Sequence, residues 1–494
     1  MAGPAAAQHQ PSFPRDLAQR VLADSMRLVL ERHLQPATPA ELALWSLRGL
    51  TVLDPAFDPV LTETELRLQL QDRPLSALPV EGLAAADPAA AAAALGFALS
   101  RFYEAAWLGS HAVRRAGMER VIASGFDEMF NHLDPYSRYL GPAEARTARE
   151  RRVGQSGLGL RVAVQGRFLV VVAVTPDGPA DLEGVRVGDR LLAVAGRALG
   201  PRDPGLAASL LEGPEGSTVT LTLSRGGRRR QVSLLREVVV PETVAAERRD
   251  DILWIRLTGF STLTERRLTA ALVDGFAEEV PRGVVLDLRG NRGGLLNQAL
   301  AVADAFLVAG ELARTEGRHP DAARSYRAGG QDLARGMPVV VLVDGRTASA
   351  AEIVAMALAE RRRAVVVGSA TMGKGLIQLV APLPNRGEIL VTWSQLVAPS
   401  GWPIQGLGVL PALCTSLGPR ALATGLLQLA AGEAPMTAAL ARQRAARPSA
   451  PASELVALRG TCPPAEGRNA DLDAARALIA APASYAAALA APRP

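Results

Sequence analysis

Three side chains in the second half of the chain have types and spacing that fit one reaction: Ser349, Lys374 at 374 − 349 = 25 positions later, and Gln378 four beyond it. An amine that has shed its proton can take a serine hydroxyl proton, turn that oxygen on a carbonyl carbon, and return the proton to the leaving group. Composition singles out the lysine before any motif is read. Of 54 Lys+Arg residues, Lys374 is the one lysine and the other 53 are arginine. A bias toward Arg, Ala, Gly and Pro explains why lysine vanished from the surface, where either cation serves, but not why one position kept it. Arginine cannot be deprotonated in a protein, whereas a desolvated lysine becomes a neutral amine able to act as base or nucleophile.

The flanking segments supply candidate geometry. Val341 to Glu352 reads as a buried strand, a tight turn and a helix start, with Ser349 where unpaired N–H groups and the helix dipole favour developing negative charge. The same letters also spell a capping box, Ser349 with Glu352 three residues on. If a strand begins at Leu376, then Lys374, Leu376 and Gln378 share one face at period two, which sets an amide beside the amine. The surrounding Leu, Ile and Val would desolvate that amine and lower its pKa. Gly373-Lys374 is no Walker A loop, because the following Ser/Thr and the upstream glycine are missing. A third piece, Arg289-Gly290-Asn291-Arg292-Gly293-Gly294, follows the apolar strand Gly283–Leu288. A Gly-Gly turn there can present one N–H to an oxyanion, and Ala350 at the helix start a second.

These pieces need a scaffold. The 494 residues, 48% hydrophobic and 21% charged, make a globular chain long enough for about three domains. The first 150 residues read as helical, with apolar spacing in 17–30, 41–50, 89–108 and 114–130 and prolines between. Residues 151–240 read as short strands separated by Gly, Pro and Asp turns, residues 241–414 as strands alternating with helices, hence an α/β core with a largely parallel sheet. Residues 415–494 are Ala-, Leu- and Pro-rich and read as a helical or partly disordered tail without chemistry. The net charge, 54 − 49 = +5, points to no nucleic acid, and the run Ser224–Arg230 reads as a solvated hairpin tip with no interleaved aromatics. No stretch approaches the ~18 apolar residues of a membrane span. Two cysteines, Cys414 and Cys462, exclude a disulfide scaffold and a Cys-rich zinc site but leave one disulfide open; the five histidines show no ligand spacing, so neither metal nor other cofactor is expected.

In order along the chain, seven segments resemble the C-terminal processing peptidases, or tail-specific proteases. They are Leu133-Asp134-Pro135-Tyr136-Ser137; Gly157-Leu158-Gly159-Leu160; Ala180 to Asp189; Asp287 to Gly294; Thr347 to Glu352; Gly373-Lys374-Gly375-Leu376-Ile377-Gln378; and Pro399 to Gly406. The resemblance implies a multidomain α/β protein with a β-rich PDZ domain (151–240) and a ClpP/crotonase-like protease core (241–414); the N-terminal helical region (1–150), longer than the family leads one to expect before Gly125, and the C-terminal helical tail (415–494), on which the resemblance is silent, are open to dimerisation or partner docking. It implies Ser349 as nucleophile, Lys374 as general base and Gln378 as the residue orienting the lysine. The N–H groups of Gly293 and Ala350 would form the oxyanion hole, with Gly294 as the alternative to Gly293. Leu158, Gly159 and Leu160 would offer N–H groups to a peptide's C-terminal carboxylate, so the implied partners are proteins with apolar C-termini; a homo-oligomer or an activating partner is left open. Arg292, Ala351 and Ala412 depart from the family pattern, which has Pro or Gly, a second Ser, and Asp at those places. The family is secreted, so a periplasmic or secreted location is implied over a cytoplasmic one, although the first residues show no signal segment. Two other readings are a PDZ adaptor on a silent protease body and, against the Ser-Lys pair, a crotonase-like acyl-CoA enzyme.

Overall fold

The computed structural model describes residues 12–83, 85, 87–277 and 279–490; the first residues, with His9, lie outside the described residues. The chain forms two compact units. One comprises Met1–Thr147, Arg314–Ser325 and Gly375–Val397, the other Ala148–Ala313, Tyr326–Lys374 and Ala398–Pro494.

In the first unit the helices Arg15–Arg32, Pro39–Arg48, Pro88–Gly109 and Met118–Asn131 fall where the apolar spacing predicts them. Leu22, Met26, Leu95, Phe102 and Phe126 are fully buried between them. The region is not all helical, as its sequence suggested. Phe57–Leu61, Glu65–Leu70 and Arg73–Pro79 form an antiparallel sheet with Glu65–Leu70 in the centre. The prolines that masked it, Pro59, Pro74 and Pro79, all sit on the two outer strands, where a missing N–H costs no ladder bond. The central strand alternates and buries Leu66 and Leu68.

The unit's second sheet is built around Glu388–Val397, which pairs antiparallel with Leu376–Pro382 along one edge. Its other edge takes Arg138–Leu140 and the Arg314–Glu316 end of a further strand. The register shifts between Ile377 and Gln378, so that Gln378 faces Thr392. The strict alternation expected from Lys374 to Gln378 therefore fails: the strand begins at Leu376, and a bulge re-aims the residue after it.

The second unit contains the β-rich segment and the α/β core. Leu160–Gln165 forms the end of a sheet whose order continues through Phe168–Val174, Arg190–Val194, Thr218–Arg225 and Arg228–Leu235, with the helix Pro204–Leu211 packed against the end strand. The arginine run is a hairpin tip at Gly226-Gly227, as expected, and Arg225 is bound to buried Asp189 at 2.6 Å. The core sheet runs Val244–Arg249, Ile252–Leu257, Gly283–Asp287, Val339–Val343, Val365–Gly368 and Leu413–Cys414, parallel except for its first pair. Gly283–Asp287 and Val339–Val343 are buried at every position, which is why they read as unbroken apolar runs.

The tail differs from its expectation. Its helices are formed through Leu489, and they are bonded to the core rather than appended to it. Tyr485 exchanges hydrogen bonds with the Val339 backbone at 2.9 and 3.1 Å, Arg289 reaches Asp471 at 3.1 Å, and Cys414 and Cys462 are joined in a disulfide. Among the described residues no helix is long and apolar enough to cross a membrane.

Candidate active site

Ser349 stands between the strand Val339–Val343 and the helix Ala350–Glu360, at φ 57° and ψ −119°. That conformation suits glycine, and a side chain there costs of order 1–3 kcal/mol that the surroundings must offset. A serine held on a strained strand-to-helix turn projects its oxygen away from the backbone, the geometry that α/β-hydrolases give a nucleophile. Asp344 supplies much of the constraint. Its Oδ1 accepts from the N–H groups of Arg346 (3.0 Å) and Thr347 (2.9 Å), and also from Gly290 (3.0 Å) in the glycine loop. The Thr347 hydroxyl donates to the Leu288 carbonyl at 2.9 Å. Turn and glycine loop are thereby one bonded body.

Glu352 does more than cap its helix. Fully buried, it accepts four hydrogen bonds, two on each oxygen. Oε2 takes the N–H of Ser349 at 2.7 Å and the N–H of Lys374 at 2.9 Å. Oε1 takes the N–H of Gly373 at 2.7 Å and the Thr371 hydroxyl. One carboxylate oxygen thus holds the backbone of the serine and of the lysine together. Burial pushes the Glu352 carboxyl above its ordinary pKa, against the pull of these neutral donors. The capping-box pattern was visible in the sequence; the lysine half of the grip, 374 − 352 = 22 residues away, carried no local signal.

The glycine loop packs against the same turn. A Cβ added at Gly293 would lie 2.9 Å from both the Ala350 nitrogen and Ser349 Cβ, and Gly293 sits at φ 94°. Its N–H is engaged, donating to Asn291 Oδ1 at 2.8 Å, while Asn291 Nδ2 donates to the Leu257 carbonyl at 2.9 Å. Gly294, at φ 148°, lies against Phe260, whose backbone oxygen an added Cβ would strike at 2.2 Å. Asn291 was not singled out from the sequence, although it lies inside the loop that was.

Beyond the lysine the loop is braced from the tail. Arg459 donates to the carbonyls of Thr371 (2.8 Å), Met372 (3.0 Å) and Gly406 (3.2 Å), and Met372 N–H donates to the Thr347 carbonyl at 2.9 Å. Ser349, Ala350, Gly293, Gly294 and Lys374 therefore lie in segments bonded to one another. Gln378 belongs to the other unit. There its amide nitrogen donates to the Leu376 carbonyl at 3.0 Å and to Thr392 Oγ1 at 3.1 Å.

In the β-rich segment, Leu158 is buried and its carbonyl accepts from Ala180 N–H at 2.9 Å; the Gly159 carbonyl accepts from Thr175 N–H at 2.7 Å. Gly159 adopts φ 69°, the left-handed turn a glycine makes without strain. With these carbonyls tied inward, the turn leads into the end strand beginning at Leu160, an edge of the kind to which an extended peptide adds.

The model of peptidase family S41 matches residues 251–413, and that of the PDZ domain matches residues 170–225. A carboxy-terminal-processing protease of Bartonella bacilliformis is 35% identical over 300 residues, 59% of this chain and 69% of that protein. The carboxy-terminal processing protease CtpA of Bacillus subtilis is 29% identical over 60% of this chain and 65% of its own length. Among solved structures, a photosystem II D1 C-terminal processing protease is 28% identical, over 67% of this chain and 90% of that one, with a TM-score of 0.36. With its PDZ and peptidase segments in this order, the chain belongs to the carboxy-terminal-processing proteases, serine peptidases of family S41.

Proposed function

We propose that the chain is an endopeptidase that captures apolar C-terminal tails of proteins on its PDZ domain and cleaves them with Ser349 and Lys374. The observation that carries this reading is the shared Glu352 oxygen, which ties the nucleophile's backbone to the base's. In the acylation step the Lys374 amine takes the Ser349 hydroxyl proton as Oγ bonds to the scissile carbonyl carbon. The oxyanion is received by the Ala350 N–H at the helix start. Of the two candidates for the second donor, Gly293 and Gly294, the Gly293 N–H is engaged by Asn291 Oδ1, which favours Gly294. Collapse breaks the C–N bond, the ammonium returns its proton to the departing amine, and water then hydrolyses the acyl-serine with the lysine again as base. Gln378 orients the lysine, a role that rests on the resemblance.

Leu158, Gly159 and Leu160 receive the tail's carboxylate, and the tail extends as a strand beside Leu160–Gln165. We keep the division of labour read from the sequence, capture in 151–240 and cleavage in 241–414. The Cys414–Cys462 disulfide favours an oxidising compartment such as the periplasm.

The test is degradation of labelled casein together with labelling by a fluorophosphonate. Ser349→Ala should abolish both. Lys374→Arg keeps the charge and cannot shed it, so casein turnover should fall by roughly 10²–10⁴. Wild-type turnover by either variant would overturn the assignment. Casein or peptide binding by the wild type without turnover or labelling would favour the silent adaptor.

A further inference from the structure

In the end strand Leu160–Gln165 the open edge and the two faces can be assigned residue by residue. The Gly159 carbonyl is given inward, to Thr175 N–H at 2.7 Å. Backbone groups of successive residues in a strand point to opposite sides, so Leu160 turns its own N–H and carbonyl away from Phe168–Val174 and toward the open edge. The side chains alternate as well. Leu160 and Val162 pack against the buried cluster of this segment, to which the helix Pro204–Leu211 contributes Ala207, whereas Arg161 between them is exposed on the other face.

A tail whose carboxylate is received by the N–H groups of Leu158, Gly159 and Leu160 runs toward Leu160, antiparallel to the strand. Its last residue gives its N–H to the Leu160 carbonyl and its carboxylate to the Leu160 N–H, so the penultimate residue lies opposite Arg161 and the one before it opposite Val162. Opposed residues of an antiparallel pair share a face. The last and third-from-last side chains therefore fall on the apolar side of Leu160 and Val162, and the penultimate one falls beside the Arg161 guanidinium. The charge there has one sign. From Leu158 to Val174 the charged residues are Arg161 and Arg167, and Pro204–Leu211 carries none. On the same outer face Arg190 lies over the Phe168 ring at 3.8 Å. Arg161 makes no side-chain hydrogen bond or ion pair among the described residues.

We infer that Arg161 is a specificity-determining residue for the tail's penultimate position, selecting proteins whose chains end in an acidic residue followed by an apolar one. This inference rests on the reading of this segment as the site that captures C-terminal tails. Affinity comes from the backbone bonds and the apolar last residue, which any apolar tail supplies. The guanidinium adds the choice among such tails. An aspartate or glutamate opposite it forms a cross-strand ion pair, whereas a lysine or arginine places like charges face to face. The pair stands in solvent at the rim, so its effect is selective and modest and falls with salt.

The test measures binding of short fluorescent peptides to the full-length chain carrying Ser349→Ala, so that none is cut. The peptides differ only at their ends: Ala-Asp-Leu, Ala-Lys-Leu, Asp-Ala-Leu, and Ala-Asp-Leu with its carboxylate amidated. At low salt the Ala-Asp-Leu peptide should bind about three- to tenfold more tightly than Ala-Lys-Leu, the scale of an exposed cross-strand pair set against its like-charge counterpart. Asp-Ala-Leu, whose aspartate is moved opposite Val162, should lose that advantage. Adding Arg161→Glu should invert the preference, Arg161→Ala should bring the two affinities to within about twofold of each other, and about 0.5 M salt should shrink the preference. A merely structural role for Arg161 would weaken every peptide alike and leave their order unchanged. The inference is overturned if Ala-Asp-Leu and Ala-Lys-Leu bind equally at low salt, if Asp-Ala-Leu binds as tightly as Ala-Asp-Leu, or if the order survives Arg161→Glu. Absence of binding by every peptide, or an amide that binds as well as its free acid, would instead overturn the capture reading and the inference with it.

Discussion

Two buried carboxylates organise this molecule, one in each unit, and they answer the same problem in opposite ways. Glu352 and Asp134 each accept four hydrogen bonds, and each fastens segments far apart in sequence. Yet burial raises the first above its ordinary pKa, while the second is held well below. The number of bonds does not decide the sign. Every donor to Glu352 is neutral, a hydroxyl or a backbone amide, and complete burial outweighs them. Asp134 adds an imidazole N–H to its neutral donors, and that bond is the largest of the influences that lower its pKa. At Glu352 complete burial outweighs the neutral donors, whereas at Asp134, which is less completely buried, the donors led by His33 outweigh burial.

The comparison breaks most visibly at Glu352. Gln in its place keeps the shape but turns an NH2 either toward the Ser349 and Lys374 N–H groups or toward the Gly373 N–H and the Thr371 hydroxyl, which can turn to accept, so that at least one backbone N–H and one amide proton are left without an acceptor. Buried donors left unmade cost about 1–3 kcal/mol each. We expect Glu352→Gln to be destabilised by about 2–5 kcal/mol on that scale. It should also lose at least a hundredfold in fluorophosphonate labelling, roughly the cost of a misplaced catalytic group. Wild-type labelling by a folded Glu352→Gln would show that the shared oxygen does not govern the site.

The opposite pKa shifts give a sharper contrast. A lowered carboxyl stabilises the fold above its unfolded pKa, and that contribution is lost as pH falls below about 4. The stability advantage of wild type over Asp134→Asn should therefore shrink on acidification. A raised carboxyl works the other way: the fold binds the proton more tightly than the unfolded chain, so stability declines as pH rises above about 4.5. The advantage over Glu352→Gln should widen on acidification. Denaturant titrations from pH 3 to 7 would read both slopes, and slopes of equal sign would refute the comparison.

How far the sequence revealed this arrangement depends on how local each signal was. Ser349, Lys374 and the glycine loop were legible because composition, spacing and a strand-turn-helix pattern coincide within short stretches. The parallel sheet was legible from its unbroken apolar strands, Gly283–Asp287 and Val339–Val343. The Phe57–Pro79 sheet was hidden by prolines that weigh against strands until one knows which strands are edges. The bulge before Gln378 depends on its partner strand, which no alternation rule includes. Glu352 read as a cap because one of its four bonds, from the Ser349 N–H, is local, and His33 and Asp134 were separated by 134 − 33 = 101 residues, with nothing in either neighbourhood naming the other. The residues proposed to do chemistry announced themselves by type. Those that hold them in place are ordinary letters whose meaning lies in their partners.

The tail supplies the smallest and most specific refinement of the contrast. The Glu352 knot takes up the N–H groups of Ser349, Gly373 and Lys374, and Arg459 takes up carbonyls of the same loop, at Thr371 and Met372. The loop bearing the lysine is thus gripped on its donor side by an anion and on its acceptor side by a cation. A guanidinium spans three carbonyls because its N–H groups form a rigid planar fork, which a lysine ammonium lacks. Arg459→Lys therefore keeps the charge and removes the fork. Loosening the loop without unmaking the Glu352 grip should cost about 1 kcal/mol, the scale of a single hydrogen bond, and so roughly a fivefold loss in kcat with KM little changed. Double-mutant analysis with Thr371→Val decides whether the two grips act on one loop. Coupling of 0.5 kcal/mol or more between them is expected for residues in one network, whereas additivity would mean that the tail stabilises the core without steadying the lysine.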